Sequence, residues 1–246
     1  MKIKKFNLKT TFVKKQFAKC FFWFVILVCF SCSPAYIPNM VNTPLLSNKG
    51  EFNASAAIGT SNFDPQLSYA ASQHVGIVAN GSFANRTSDS TDNFHKHTIV
   101  ELGAGYYTKI GENSRFEVYG GYGFGKVDGQ FTFLGTKSIN DARFNKIFVQ
   151  PAIGATTDFF DGSLATRFSL INMNLTDPNY TGKNKFSLFI EPVVTAKFGY
   201  KNVKLIWQFG ISISTKKEAE LQYKYQPIIM SIGLQLNFGK KDINND

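Results

Sequence analysis

The chain has 246 residues, of which 43% are hydrophobic and 15% aromatic, and its formal net charge is +10. Seven of its 27 basic residues lie among the first nineteen positions, which leaves 20 against 17 acidic residues in residues 32–246. The remainder of the chain lacks the excess of positive charge that nucleic-acid binding needs, so no nucleic-acid partner is expected.

The N-terminus has the layout of a secretory signal. Residues 1–19 are rich in lysine and contain no acidic residue, and an unbroken apolar run follows at residues 20–30. Eleven residues are too few for a spanning helix, which needs about 20. All three cysteines lie in or at the end of this segment, so there is no disulfide framework to interpret.

The apolar run ends in Cys29-Phe30-Ser31-Cys32. A small residue directly before a cysteine, after a hydrophobic core, resembles the lipobox of bacterial lipoproteins. This resemblance implies that a peptidase removes residues 1–31 and that Cys32 becomes the acylated first residue of the mature chain. An ordinary secretory signal, cut a few residues later, is the alternative.

Residues 32–50 are predicted to form an acylated N-terminus and an extended tether. The stretch from residue 33 to 50 holds Pro34, Pro38 and Pro44 and has no periodicity, which is typical of a linker. The sequence SPAYIPN after Cys32 contains no acidic export signal. We therefore expect the lipid anchor to face inward, on the periplasmic side.

From residue 51 onward, apolar and polar residues alternate with a period of two, interrupted by Gly, Asn and Asp, about ten times. The pattern predicts a β-barrel domain at 51–239 followed by a polar tail at 240–246. The predicted strands are 51–60, 65–72, 75–86, 97–110, 115–127, 144–158, 163–174, 185–199, 202–214 and 225–239. The fold class is all-β, an antiparallel up-and-down transmembrane barrel of about ten strands.

The two faces of these strands differ in composition. One face is a continuous apolar and aromatic band, whereas the other is small or polar and rich in glycine, with sparse charges of both signs. Glycine weakens exposed strands, so we interpret the second face as the interior and the apolar face as lipid-facing. The interior is expected to hold a polar network of Glu101, Glu117, Lys146, Arg167, Glu191, Lys197 and Lys204. The alternative is a lipid-tethered soluble barrel with its apolar face inward and a small ligand in its cavity.

Connection lengths support the membrane interpretation. Connections 2–3, 4–5, 6–7 and 8–9 are short, whereas 3–4, 5–6, 7–8 and 9–10 are long and polar. Outer-membrane barrels have short periplasmic turns and long outer loops. With an even strand number, both barrel termini are expected in the periplasm.

The last strand contains a motif that resembles an assembly signal. Ser231, Gly233, Leu236 and Phe238 are spaced like the C-terminal signal that the barrel-assembly machinery reads. The segments FVQPAIGA, FIEPVVTA and YGGYGFG also resemble strand motifs of the small outer-membrane barrels of the OmpA-like and OmpW-like kind. The resemblance implies an outer-membrane location, with membrane lipid, the assembly machinery and the lipoprotein-processing enzymes as partners. It indicates a fold and no activity.

Three prolines fall inside predicted strands. Pro151, Pro192 and Pro227 each remove a ladder donor in a barrel that has no edge. We expect bulges near the outer rim to accommodate them.

The best candidate for chemistry is the connection that holds Asp92, His95 and His97. On an extended segment the two imidazoles face one way, close to carboxylates, which is a conceivable metal site. The alternative is a solvated loop. Omptin proteases resemble this architecture and use rim Asp pairs with an Asp-His pair, which Asp89, Asp92 and His95 supply only in part.

No nucleophile, base and orienting group can be assembled from the sequence, so neither an enzyme nor a cofactor is expected. The predicted role is a non-catalytic envelope structural or surface-interaction protein. A narrow pore for small solutes is the alternative, since ten strands lie between filled barrels of about eight and open ones of about 16.

Overall fold

The computed structural model describes residues 34–88, 92–133, 136–176 and 185–239. These residues form one short helix, α1 (Glu218–Leu221), and eleven strands. The strands are β1 (Phe52–Gly59), β2 (Asn62–Ala70), β3 (Val75–Thr87), β4 (Phe94–Lys109), β5 (Ser114–Phe133), β6 (Thr136–Thr156), β7 (Phe160–Leu175), β8 (Lys185–Tyr200), β9 (Val203–Ile211), β10 (Ile213–Ser214) and β11 (Ile228–Phe238).

The strands close into an antiparallel up-and-down barrel. Strands β1 to β9 each pair with their sequence neighbours, β11 pairs with β9, and β11 closes on β1 from Phe52↔Phe238 to Gly59↔Ser231. The short strand β10 continues β9 along β8. If β9 and β10 are counted as one interrupted strand, the barrel wall has ten strands, and the sequence-based prediction of fold class is confirmed.

The two ends of the barrel differ. Short connections at 71–74, 110–113, 157–159 and 201–202 lie at one end, together with the start of β1 and the end of β11; we call this the short-turn end. The opposite end, which we call the long-loop end, carries the other connections, including residues 215–227 with α1.

One predicted long loop is mostly strand. The 5–6 connection continues the hairpin from Gly129↔Asn140 to Phe133↔Thr136, and β5 and β6 are 20 and 21 residues long. Asp128-Gly129 is a turn signal in the sequence, but the β-favouring side chains of Phe131 and Thr132 continue the ladder beyond it. Strands β1 and β2 have only 8 and 9 residues, so the rim at the long-loop end is uneven.

The predicted bulges at the prolines are absent where the structure describes them. Around Pro151 the β6–β7 pairs Val149↔Phe168 and Ala152↔Ala165 keep one register, with two residues of each strand unpaired between them. Around Pro192 the pairs Ile190↔Ile213 and Val193↔Gly210 likewise share one register. Pro227 lies just before β11, and its carbonyl accepts a hydrogen bond from the Ser212 amide at 2.7 Å. A local gap in the ladder is therefore enough to accommodate proline.

The apolar face points outward. Large hydrophobic side chains around the whole barrel are exposed, among them Leu102, Phe124, Ile153, Leu164, Val194, Trp207 and Leu234. A continuous apolar band of this kind is the surface that a barrel presents to hydrocarbon, and it far exceeds the isolated patches of soluble monomers. Among the described residues, no helix has the length and hydropathy to cross a membrane.

An aromatic belt lies at the short-turn end. Ring pairs form between Phe159 and Tyr200, with centroids 5.0 Å apart, and between Phe160 and Phe198, at 5.1 Å. Aromatic side chains are typical of the level where membrane meets water. Tyr107 lies near the same end but faces the lumen and donates a hydrogen bond to the Ser72 carbonyl at 2.6 Å.

The residues of the predicted assembly signal alternate across β11. Ser231 and Gly233 face the lumen side, whereas Leu236 and Phe238 are exposed on the outer face. A Cβ at Gly233 would lie 2.3 Å from the Ala56 carbonyl oxygen, so the close approach of β11 to β1 requires glycine there.

The N-terminal segment is not a tether outside the barrel. Residues 34–47 are all buried, and they lie in the lumen without regular secondary structure. We call them the plug segment. Cys32 lies outside the described residues.

Candidate functional site: the occupied lumen

The plug segment runs through the whole barrel. At the short-turn end the Ser47 amide donates to Glu51 Oε2 at 2.9 Å, and Arg115 Nε donates to Ser47 Oγ at 2.7 Å. At the long-loop end the Ala35 amide donates to the Lys224 carbonyl at 2.9 Å, within the connection that precedes β11. The segment therefore enters β1 from the short-turn end, and its N-terminal end lies at the long-loop end.

Side chains of the barrel wall form hydrogen bonds with both the amide and the carbonyl of the same plug residue. Gln208 on β9 accepts from the Val41 amide at 2.9 Å and donates to the Val41 carbonyl at 2.8 Å. On β2, Asp64 accepts from the Met40 amide at 3.0 Å and Gln66 donates to the Met40 carbonyl at 2.8 Å. Buried backbone groups must find partners, and these polar side chains supply them.

The next residues of the plug are held from other sides of the barrel. Gln150 on β6 donates to the Asn42 carbonyl at 2.6 Å, and the Asn42 amide group donates to Asn80 Oδ1 on β3 at 2.9 Å. Lys197 on β8 donates to the Thr43 carbonyl at 2.6 Å. The contacts therefore surround the plug segment and do not line one wall.

A buried cluster of four charges surrounds Asn39. Its side-chain amide donates to Glu101 Oε2 at 3.0 Å, its Oδ1 accepts from Lys146 Nζ at 2.9 Å, and its carbonyl accepts from Arg167 Nη2 at 2.9 Å. Lys146 is ion-paired with Glu101, and Arg167 Nε binds Glu191 Oε2 at 2.7 Å. The two positive and two negative groups are fully buried and balance each other. A single asparagine of the plug thus joins strands β4, β6 and β7.

The seven charged residues expected in the interior all lie in the lumen and are buried. They do not form one network. Glu117 accepts from the Leu45 amide at 3.0 Å, and Lys204 lies near the short-turn end, where it donates to Asp161 Oδ1 at 2.7 Å. Asn39 and Asp161 were not predicted as partners, because the pattern assigns the first to a tether and the second to a turn.

An apolar cluster fills the lumen towards the long-loop end. The Tyr36 ring packs on Phe189 and Phe144 with centroid distances of 4.5 and 5.7 Å, and its hydroxyl donates to Glu191 Oε1 at 2.8 Å. The cluster also contains Ile99, Val127, Ala142, Ile171, Met173, Leu175, Leu221 and Tyr223. Burial raises the pKa of Tyr223, in the connection before β11, to about 12, so its hydroxyl stays neutral at physiological pH. Packed side chains of the described residues therefore fill the lumen at this end.

The predicted metal ligands are only partly brought together. His95 Nε2 lies 3.0 Å from His97 Nδ1, but Asp92 is exposed and its backbone carbonyl accepts from Gln130. The part of the chain that the structure describes contains no group of three or more His, Cys, Asp or Glu residues that could hold a metal ion. The structure therefore brings together His95 and His97 but not Asp92.

The histidines instead extend a hydrogen-bonded chain to a serine. Ser82 Oγ lies 3.1 Å from His97 Nε2, which places serine, histidine and histidine in the order of a nucleophile, a base and an orienting group. The sequence does not reveal this hydrogen-bonded chain, because Ser82 lies on the neighbouring strand β3. Its side chain is fully buried, and its hydroxyl also donates a hydrogen bond to the Ser61 carbonyl at 3.3 Å, so a substrate has no access to it.

Comparisons with known proteins identify no family. No family model and no curated protein matches the sequence. Among solved structures, the chain is similar to the outer membrane protease OmpT from Escherichia coli, with a TM-score of 0.43 and 10% identity over 78% of this chain and 94% of that one. It is also similar to a major outer membrane protein from Thermus thermophilus, with a TM-score of 0.31 and 11% identity over 76% of this chain and 99% of that one. Neither similarity transfers an activity to this chain.

Proposed function

We propose that this protein is an outer-membrane β-barrel lipoprotein with a non-catalytic structural or surface-interaction role, and that its own plug segment keeps the barrel closed. The observation that carries the proposal is that the plug segment is buried along its whole length and hydrogen-bonded to most strands of the barrel wall. Its partners would be membrane lipid, the barrel-assembly machinery and the enzymes that process lipoproteins.

The membrane location is supported by the outer surface of the barrel. The exposed apolar side chains and the aromatic belt match the surface of barrels that cross a bilayer. The buried lumen is polar near its middle, the reverse of a soluble barrel with an apolar ligand cavity. These features favour the lipid-facing interpretation over a soluble binding protein.

A pore for small solutes is disfavoured in this conformation. The middle of the lumen holds the charge cluster around Asn39, and the cluster around Tyr36 fills the long-loop end. A permanent pore would need a continuous aqueous path instead. The proposed role is therefore to present the loops and the tall β5–β6 hairpin outside the membrane.

The proposal includes the absence of catalysis at Ser82. We expect a fluorophosphonate probe to leave the folded protein unlabelled, because the Ser82 hydroxyl is fully buried. The measurement is mass spectrometry of the treated protein, with Ser82→Ala as the matched control. Stoichiometric labelling of the native chain that is lost in S82A would overturn this part of the proposal.

Fractionation with heat-modifiability tests the proposal as a whole. We expect palmitate-labelled protein in outer membranes, with a gel band that shifts on boiling, and we expect Cys32→Ala to lose the label and to remain in the membrane. Release of C32A as a soluble periplasmic protein would contradict the membrane barrel and would support a lipid-tethered soluble domain. An unlabelled but membrane-integral native chain would overturn only the lipoprotein assignment.

A further inference from the structure

The direction of the plug segment determines where the chain before it begins. The Ala35 and Tyr36 amides both bind the Lys224 carbonyl, and the Gln226 amide binds the Tyr36 carbonyl at 2.9 Å. Tyr36 forms a parallel bridge with Tyr225, so residues 35–37 run in the same direction as the chain that enters β11. Strand β11 starts at the long-loop end and runs towards the short-turn end, and the plug therefore does the same.

In the described part of the barrel, the plug is held by contacts from several sides of the lumen. Wall side chains contact successive plug residues from β2, β3, β6, β8 and β9. At the long-loop end, the buried Tyr36 ring packs against both Phe144 and Phe189. A second stretch of chain, going back to the short-turn end, would have to displace these contacts.

The distance from the plug to the acylation site is short. Pro34 is two positions after Cys32, and an extended chain spans at most about 3.6 Å per residue, so the reach is about 7 Å. That is far less than the thickness of the hydrocarbon core, which is about 30 Å.

We propose that the mature N-terminus leaves the barrel at the long-loop end, so that the lipid on Cys32 inserts in the outer leaflet. The proposal rests on the proposed function for the acyl chain and for the orientation of the long loops towards the outside. It reverses the inward-facing anchor expected from the sequence, because that expectation treated residues 32–50 as a tether in the periplasm. The acylated N-terminus would then lie at the cell surface, and the plug segment would connect it through the lumen to β1.

Cysteine accessibility in intact cells tests this topology. A single free thiol is introduced as Ser33→Cys in the full chain and treated with a membrane-impermeant maleimide before and after permeabilisation. The reference variants are Thr132→Cys on exposed β5 near the long-loop end and Glu112→Cys in an exposed turn at the short-turn end. The native chain is the control for Cys32, since an acylated thiol does not react.

We expect S33C to label in intact cells to the same extent as T132C, and E112C to label only after permeabilisation. Labelling of S33C only on the side where E112C reacts would overturn the proposal. If the introduced thiol is shielded in both conditions, an epitope inserted between Ser33 and Pro34 gives the same comparison with antibodies, and its appearance on the E112C side would be equally decisive.

Failure of the proposed function gives a different result. A soluble periplasmic protein would show no heat-modifiable membrane band, whatever the labelling pattern. A barrel inserted the other way round would exchange the behaviour of T132C and E112C. In that orientation, labelling of S33C together with T132C would still show passage through the lumen and would overturn the outer-leaflet position.

Discussion

Replacing residues 34–47 by a glycine-serine segment of equal length opens an ion path through the barrel. The replacement removes Tyr36 from the apolar cluster and Asn39 from the charge cluster, and it removes every plug side chain that fills the lumen. The charged wall that remains is hydrated instead of being bound to the plug. Barrels with unfilled interiors conduct ions, and the variant barrel is expected to do the same.

The measurement is single-channel recording in planar bilayers. The native protein is expected to show no resolved conductance steps, and the replaced variant discrete ones. A glycine-serine replacement of residues 240–246, which follow the barrel, is the matched control. A replaced variant that still shifts on boiling but stays silent would contradict the role of the plug as the closure. If that variant fails to fold, the double substitution Tyr36→Gly and Asn39→Gly provides a milder test.

Arg167→Met is expected to lower the free energy of unfolding by about 3–5 kcal/mol, the usual cost of leaving a buried charge without its partner. Arg167 lies between Glu191, at 2.7 Å, and Glu101, at 3.7 Å, and all three side chains are fully buried. The substitution also removes the hydrogen bond to the Asn39 carbonyl. It therefore destabilises both the wall and the plug.

Denaturant titration of the folded, heat-modifiable form measures this effect. The double variant with Arg167→Met and Glu191→Leu removes both charges of one pair, and we expect it to recover part of the loss. Lys216→Met, at an exposed position, is the control and should change stability by less than about 0.5 kcal/mol. A loss in R167M no larger than that in K216M would show that the charge cluster is not essential to the fold.

The strands could be predicted because a barrel wall constrains every second residue. Lipid on one side and a crowded lumen on the other select opposite side-chain types, and the alternation survives even around Pro151. The same argument placed Glu101 and Arg167 inside, since a charge is costly on the lipid face. Alternation does not predict where a hairpin ends. Strands β5 and β6 continue past Asp128-Gly129 and are longer than a membrane crossing needs.

The plug segment could not be predicted from the sequence. Its buried contacts are made largely by backbone amides and carbonyls, which are the same in every residue type, so Met40 and Val41 leave no periodic pattern. Its prolines and asparagines are equally typical of a linker. The only indirect signal was an excess of polar lumen residues such as Gln150 and Gln208, which have no charge to neutralise and need another partner.

The pairing of β1 with β11 has a consequence for biogenesis. Phe52 pairs with Phe238, so the seam joins the two ends of the barrel sequence and cannot close until the last strand has been delivered. Long-range pairing of this kind is slow, because the entropy of the intervening chain is lost before the contact is gained. The plug precedes β1, and on the proposed outer-leaflet position of the lipid the acyl chains would have to pass a lumen that packed side chains fill. We therefore expect the wall to close around a plug segment that is already in place, so that the N-terminal segment would act as a template for barrel closure.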